Sequence, residues 1–204
     1  MFQIVKPNLS GVCMRLTLVC HASTSAVRTA AFPLDEPLDP QGQAKAAALA
    51  GALRGVDATL TSPALRARQT AAALLLDATV DPALRDIDVG RWTGRSFADV
   101  EGAEPEAVAA WASRPDTAPH GGESVVDLLA RVAPWLAARG GQTGRIVAVT
   151  HQAVIRAAIV VAIDARPPAF WRIDIAPLCR VILAGDDGNR WTLRAIVPSF
   201  AATV

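Results

Sequence analysis

The stretch Leu16-Thr17-Leu18-Val19-Cys20-His21-Ala22-Ser23-Thr24 decides the fold. Its first five residues are apolar or β-branched, the composition of a buried strand. The run then stops at a histidine followed by small polar residues. In open α/β sheets ligands bind beyond the carboxyl ends of the strands. A histidine placed there is presented to a crevice from a rigid base.

Two later runs repeat the pattern. Val56 to Thr61 reads as a short strand ending in Ser62-Pro63, a helix cap and a first-turn proline. The helix beyond it, about Ala64 to Leu76, carries Arg66 and Thr70 on one face. Arg145 to Thr150 is strand-like, ends in His151, and gives way to helical pattern over Gln152 to Ile163. Further helices are expected from Gln41 to Leu53 and, after the capping-box spacing of Ser124 and Asp127, to about Arg139. Ser25 to Pro40 reads as an irregular segment, and Leu84 to Gly94 as a loop holding Asp86 and Asp88. Ile173 to Ala184 and Trp191 to Val197 flank an Asp-Gly turn, a hairpin signature. The alternation predicts a three-layer α/β/α fold with a mainly parallel sheet and a C-terminal hairpin.

Composition narrows the function. The chain of 204 residues suits one domain, here 14–204, behind an irregular leader over 1–13, with Met14 as an alternative start. A net charge of +1 makes no electrostatic case for nucleic acid or membrane binding. No apolar run is long enough to span a bilayer, and the leader lacks a signal-peptide pattern. The three cysteines, Cys13, Cys20 and Cys179, are odd in number and lack metal-ligand spacing. They point to a reducing, cytoplasmic setting. With three histidines in all, a multi-histidine metal site has little material. Oligomeric state is not readable.

In a mainly parallel sheet the carboxyl ends of neighbouring strands open on one edge. His21, Arg66 and His151 therefore converge although distant in sequence. Two imidazoles and a guanidinium suit a phosphoryl group: one imidazole attacks phosphorus and cations stabilise the equatorial oxygens. A loop carboxylate such as Asp86 protonates the departing alkoxide.

These residues sit in blocks that resemble the histidine phosphatase superfamily, the phosphoglycerate mutase-like fold. The family's Arg-His-Gly-x-Thr corresponds to Cys20-His21-Ala22-Ser23-Thr24. Its Ser-Pro-x-x-Arg-Ala-x-Gln-Thr-Ala is matched by Ser62 to Ala71. Its acid block is matched by Asp86, Gly90, Trp92 and Gly94, and its Gly-Glu-Ser by Gly122-Glu123-Ser124. Its last block is matched by Thr150-His151-Gln152-Ala153-Val154-Ile155-Arg156. The resemblance implies that His21 becomes phosphorylated and Asp86 donates the proton. It implies that His151 and Arg66 bind phosphoryl oxygens with Thr24 and Gln152, and that Glu123 is a pocket residue. The partner would be a phosphorylated small molecule, hydrolysed without metal or organic cofactor as in the short bacterial phosphatases, including the α-ribazole phosphatase type.

One departure matters. Cys20 replaces the motif arginine, and a thiol offers a weak donor and no charge. Two outcomes are expected. Either another cation, Arg28 or Arg91, compensates, or the chain is a weak or inactive relative that binds a phosphorylated ligand. Cys20 itself is a poor candidate nucleophile, because the arginine that would close a cysteine-based phosphate loop is absent from position 26, which is Ala26.

Overall fold

The computed structural model describes residues 14–199. The expected leader and Cys13 lie outside the described residues. Strand β1 (Met14–Cys20) runs through the middle of a six-stranded sheet. Strands β2 (Ala58–Thr61), β3 (Thr79–Val80) and β4 (Gly144–Thr150) lie to one side, all parallel to β1. Strands β5 (Arg180–Gly185) and β6 (Trp191–Val197) form the antiparallel hairpin on the other. The order is β3-β2-β4-β1-β5-β6.

Helices cover both faces. They are α1 (Ser25–Arg28), α2 (Pro40–Ala48), α3 (Leu65–Ala73), α4 (Phe97–Ala103), α5 (Pro105–Ser113), α6 (Val125–Gly140) and α7 (Gln152–Ala162). The period-2 alternation of a strand decides which side chains go where. Leu16, Leu18 and Cys20 of β1, with Ile146 and Ala148 of β4, pack with residues of α6 and α7. Val19, Val147 and Val149 face the other way, onto Ala67 and Ala71 of α3. Leu18 is fully buried, so truncating it to alanine costs about 2–5 kcal/mol.

The expected α/β/α architecture with its hairpin is present. Details differ for local reasons. The segment after Thr24 contains α1, whose cap is the Thr24 hydroxyl itself. The strand expected from Ile173 begins only at Arg180, because Leu178 takes a left-handed φ of 61° and its N–H turns back to the carbonyl of Cys20 at 3.1 Å. Strand β3 is two residues long, below what an apolar pattern reveals. At α6 the capping box formed by Ser124 and Asp127 is in place.

Candidate active site

Parallel pairing of β1 with β4 sets Cys20 opposite Thr150, so the next residue on each strand is a histidine. The His21 N–H donates to the Thr150 carbonyl at 2.9 Å. The two rings meet edge to face with centroids 5.2 Å apart. Both imidazoles are buried. Thr70 ties this end of β1 to α3: it accepts from the Ala22 N–H at 2.9 Å and donates to the Arg66 carbonyl at 2.7 Å. Arg66, in the first turn of α3 and also buried, then reaches His21.

Two hydrogen bonds assign the proton on His21. Its Nδ1 lies 2.8 Å from the Ala22 carbonyl, which only accepts, so Nδ1 carries the hydrogen. Its Nε2 receives the Nε–H of Arg66 at 3.3 Å, so Nε2 carries the lone pair. Burial, reinforced by the neighbouring His151 and Arg66, pushes the His21 pKa down to about 3. The ring is therefore neutral at ordinary pH, with a nucleophilic nitrogen facing a cation.

Asp86 stands across from it. Its Oδ2 accepts from a terminal nitrogen of Arg66 at 2.8 Å and lies 3.2 Å from Nδ1 of His151. The second is a close approach rather than a hydrogen bond, since Nδ1 has no aligned partner. Burial opposes ionisation of Asp86, but His151 and Arg66 outweigh it and hold the carboxyl below the ordinary carboxylate range. On its other edge His151 Nε2 meets the Ser62 hydroxyl at 2.7 Å.

The loop carrying Asp86 is fixed from behind. Arg131 of α6 bonds the carbonyl of Ala83 at 2.7 Å and that of Asp86 at 3.3 Å, and takes both oxygens of Glu123 at 2.8 and 2.9 Å. The Thr150 hydroxyl holds the Leu84 carbonyl at 2.8 Å. Gly90, at φ +49°, lies so close to the segment around His120 that a Cβ would collide with the His120 carbonyl, and one on Gly122 would collide with that of Asp88.

A cavity of about 330 Å³ opens above His21. Arg66, Asp86, Gln152 and Arg156 supply much of its polar lining, and Phe32, Trp111, Phe170 and Trp171 form an aromatic wall. The wall is a joined aromatic cluster, with Trp111 and Trp171 centroids 4.5 Å apart. Gln152 and Ala153 come from the start of α7, where His151 makes no capping bond, so the positive end of that helix faces the cavity.

Of the residues expected from the sequence, His21, Arg66, Asp86, His151 and Gln152 are brought together. The others are placed elsewhere. Thr24 is buried and its hydroxyl caps α1. Arg28 is exposed and leans towards Asp39 at 3.9 Å. Arg91 is bound to Glu104 and the Pro119 carbonyl. Glu123 stands behind the acid loop, on Arg131, rather than on the cavity wall. Cys20 packs into the core against α7, and burial drives its thiol far up in pKa, so it is no thiolate. The third histidine, His120, accepts from the Gly122 N–H at 3.1 Å and packs on Trp92. Sequence reasoning singles out Ser62 only as the polar site residue ending the second strand, without a chemical task, and assigns no site role to Arg131, Arg156 or the aromatic wall. A serine directly after a strand was the one available signal for Ser62. Among the described residues no cluster of three or more His, Cys, Asp or Glu side chains could hold a metal, and no helix is long and apolar enough to cross a membrane.

Comparison with known proteins identifies the family. Residues 16–197 match the model of the histidine phosphatase superfamily (branch 1). A bifunctional protein of Mycobacterium tuberculosis is 32% identical over 181 residues, covering 82% of this chain and 50% of that protein, so the chain spans about half the length of that relative. The glucosyl-3-phosphoglycerate phosphatase of Mycolicibacterium vanbaalenii is 32% identical over 178 residues, 78% of each chain. The solved structure of a mycobacterial glucosyl-3-phosphoglycerate phosphatase complexed with VO3 superposes with a TM-score of 0.81 at 28% identity, over 91% of this chain and 99% of that one. On the family match and the relatives alike, the chain belongs to the histidine phosphatase superfamily, branch 1.

Proposed function

We propose that this domain hydrolyses phosphomonoesters through a phosphohistidine on His21. The observation that carries this reading is the fixed tautomer: Nδ1–H is bound to the Ala22 carbonyl, which leaves the lone pair on Nε2 facing Arg66. Nε2 attacks phosphorus as the bond to the leaving alkoxide breaks. Arg66, His151 and the start of α7 hold the phosphoryl oxygens. Phosphate entering the cup draws Arg66 away from Asp86 and brings negative charge beside it. Both changes raise the Asp86 pKa from its depressed value, so the carboxyl takes up a proton and passes it to the alkoxide. The resulting carboxylate then deprotonates a water. That water attacks phosphorus, the P–N bond breaks, and inorganic phosphate leaves with His21 restored.

Phe32, Trp111, Phe170 and Trp171 suit a leaving group with a flat apolar body, because an aromatic wall stabilises by contact area and gives few acceptors for a polyol. One observation favours a second reading, a phosphate-binding module: position 20 supplies no cation, and Arg28 and Arg91 are engaged outside the cup. Release of phosphate from phenyl phosphate, with phosphorus NMR of the trapped enzyme, tests the choice. Turnover and an imidazole-linked phosphorus signal, both lost in His21→Ala, are expected. Phosphate binding without turnover over a broad ester panel would establish the binding module instead.

A further inference from the structure

Arg156 lines the same cavity as His21 and Arg66. It projects from α7 on the face that carries Gln152 and Ala153, about one turn beyond Gln152. Its Nε is sealed from solvent and has no hydrogen-bond partner. Among the described residues the guanidinium forms no ion pair; its recorded partner is the ring of Phe170, 5.7 Å from the guanidinium carbon. The acid whose field reaches it is Asp174, an exposed residue beyond ion-pair distance. A partly buried arginine without a carboxylate is an incomplete arrangement, since buried charges are ordinarily paired. The group it lacks is an anion, and the cavity is where one would enter.

Its position fits a particular task. Cys20 stands at the end of β1, opposite Thr150, and α7 departs from the same place. Cys20 and Ala153 share one core cluster, and the charge of Arg156 is felt at the Cys20 thiol. A guanidinium thus reaches the cup from the helix that begins beside the end of β1. We propose that Arg156 is the second phosphate-binding cation of this site, taking the place of the side chain that Cys20 lacks. The proposal rests on the phosphatase reading only for its kinetic arm, because phosphate binding tests it independently. It also accounts for the aromatic contact: the guanidinium, 5.7 Å from the Phe170 ring centroid, marks the border between the anion site and the apolar wall.

The test uses the full chain in five forms: wild type, Arg156→Gln, Arg156→Lys, Cys20→Arg, and Cys20→Arg combined with Arg156→Gln. Two quantities are read, kcat/KM for phenyl phosphate and calorimetric binding of inorganic phosphate. Thermal midpoints confirm folding, and glutamine keeps most of the packing over Phe170. Arg156→Gln is expected to lower kcat/KM by about a hundredfold or more and to weaken phosphate binding in parallel. Arg156→Lys recovers part of it, because an ammonium gives the charge without the fork. Cys20→Arg alone crowds two guanidinium groups and gains nothing. The double variant returns to within about tenfold of wild type, the signature of one function moved between two positions.

Equal phosphate affinity and kcat/KM in wild type and Arg156→Gln would overturn the assignment while leaving the phosphatase reading intact. A loss confined to esters with a carboxylate on the leaving group would overturn it too, by placing Arg156 on the alcohol. If wild type turns nothing over but Arg156→Gln still loses phosphate affinity, the phosphatase reading fails and the assignment of Arg156 stands.

Discussion

The Nε–H of Arg66 points at Nε2 of His21 across 3.3 Å, while a terminal nitrogen of the same guanidinium holds Asp86 at 2.8 Å. The third nitrogen is bound to the Leu34 carbonyl at 3.1 Å. One planar fork thereby spaces the nucleophile from the acid. Arg66→Ala is expected to reduce kcat/KM for phenyl phosphate by about 10²–10³-fold. Arg66→Lys will not restore it, because an ammonium cannot meet three acceptors in one plane. Initial rates for the three proteins decide this, and a lysine variant at wild-type rate would contradict it.

The role given to Asp86 predicts a dependence on the leaving group. Asp86→Asn removes the proton donor but preserves shape. Alkyl phosphates, whose alkoxides need a proton, should slow by about 10²–10⁴-fold. For 4-nitrophenyl phosphate, which expels a stable anion, the loss in the first step should be about tenfold or less. A plot of log kcat/KM against leaving-group pKa should be steeper for the variant; parallel lines would remove Asp86 from proton transfer.

Stability should fall in acid for an identifiable reason. The folded state holds His21 neutral down to about 3, against an ordinary value of 6.5, so unfolding takes up a proton between those limits. Stability is complete above 6.5 and is lost as pH falls, by about 1.4 kcal/mol per unit from this group. His120, whose pKa burial also lowers, acts in the same direction, and Asp86 joins only below its ordinary 3.8. His21→Gln removes the His21 contribution alone. Urea melts of both proteins between pH 7 and pH 4 should converge or cross as pH falls; parallel curves would mean that His21 is not held neutral.

Ser62 is expected to matter without touching phosphorus. Ser62→Ala strips the partner from the buried Nε2 of His151. The expected penalty is about 1–3 kcal/mol in unfolding free energy. It should be accompanied by a shift in the pH profile of kcat, since His151 loses the contact that orients it towards Asp86. Unchanged stability and profile would show the contact to be incidental.

The aromatic wall makes a selectivity prediction. Trp111→Ala should weaken kcat/KM for phenyl phosphate by about 10-fold or more while altering methyl phosphate little, as one buried ring contact is worth about 1–3 kcal/mol. Equal losses on both esters would assign Trp111 to folding alone.

What the sequence disclosed and what it hid have a common physical cause. His21 and His151 were legible because each ends an apolar run, and Arg66 because it follows the strand end at Ser62-Pro63, although Ser62 is not the cap expected there: α3 starts at Leu65 with Ala64 as N-cap and no side-chain capping bond. A parallel sheet then gathers all three. Arg28 and Arg91 misled because an exposed charge on a short segment gives no direction: each turned to a local acid, Asp39 or Glu104. Arg156 closes the block Thr150 to Arg156, yet nothing in a helical run says which residue lacks a partner. Trp111 and Trp171 sit 60 positions apart in the chain and meet only through folding, so no local pattern could link them.

The pairing of Cys20 with Thr150 has a consequence for how this domain tolerates length changes. The two imidazoles are neighbours because two strands stop in step. A single residue inserted within either strand, with its pairing otherwise kept, would turn that strand's closing histidine to the opposite side of the sheet. Every residue of the cup would still be encoded, and the cup would be gone.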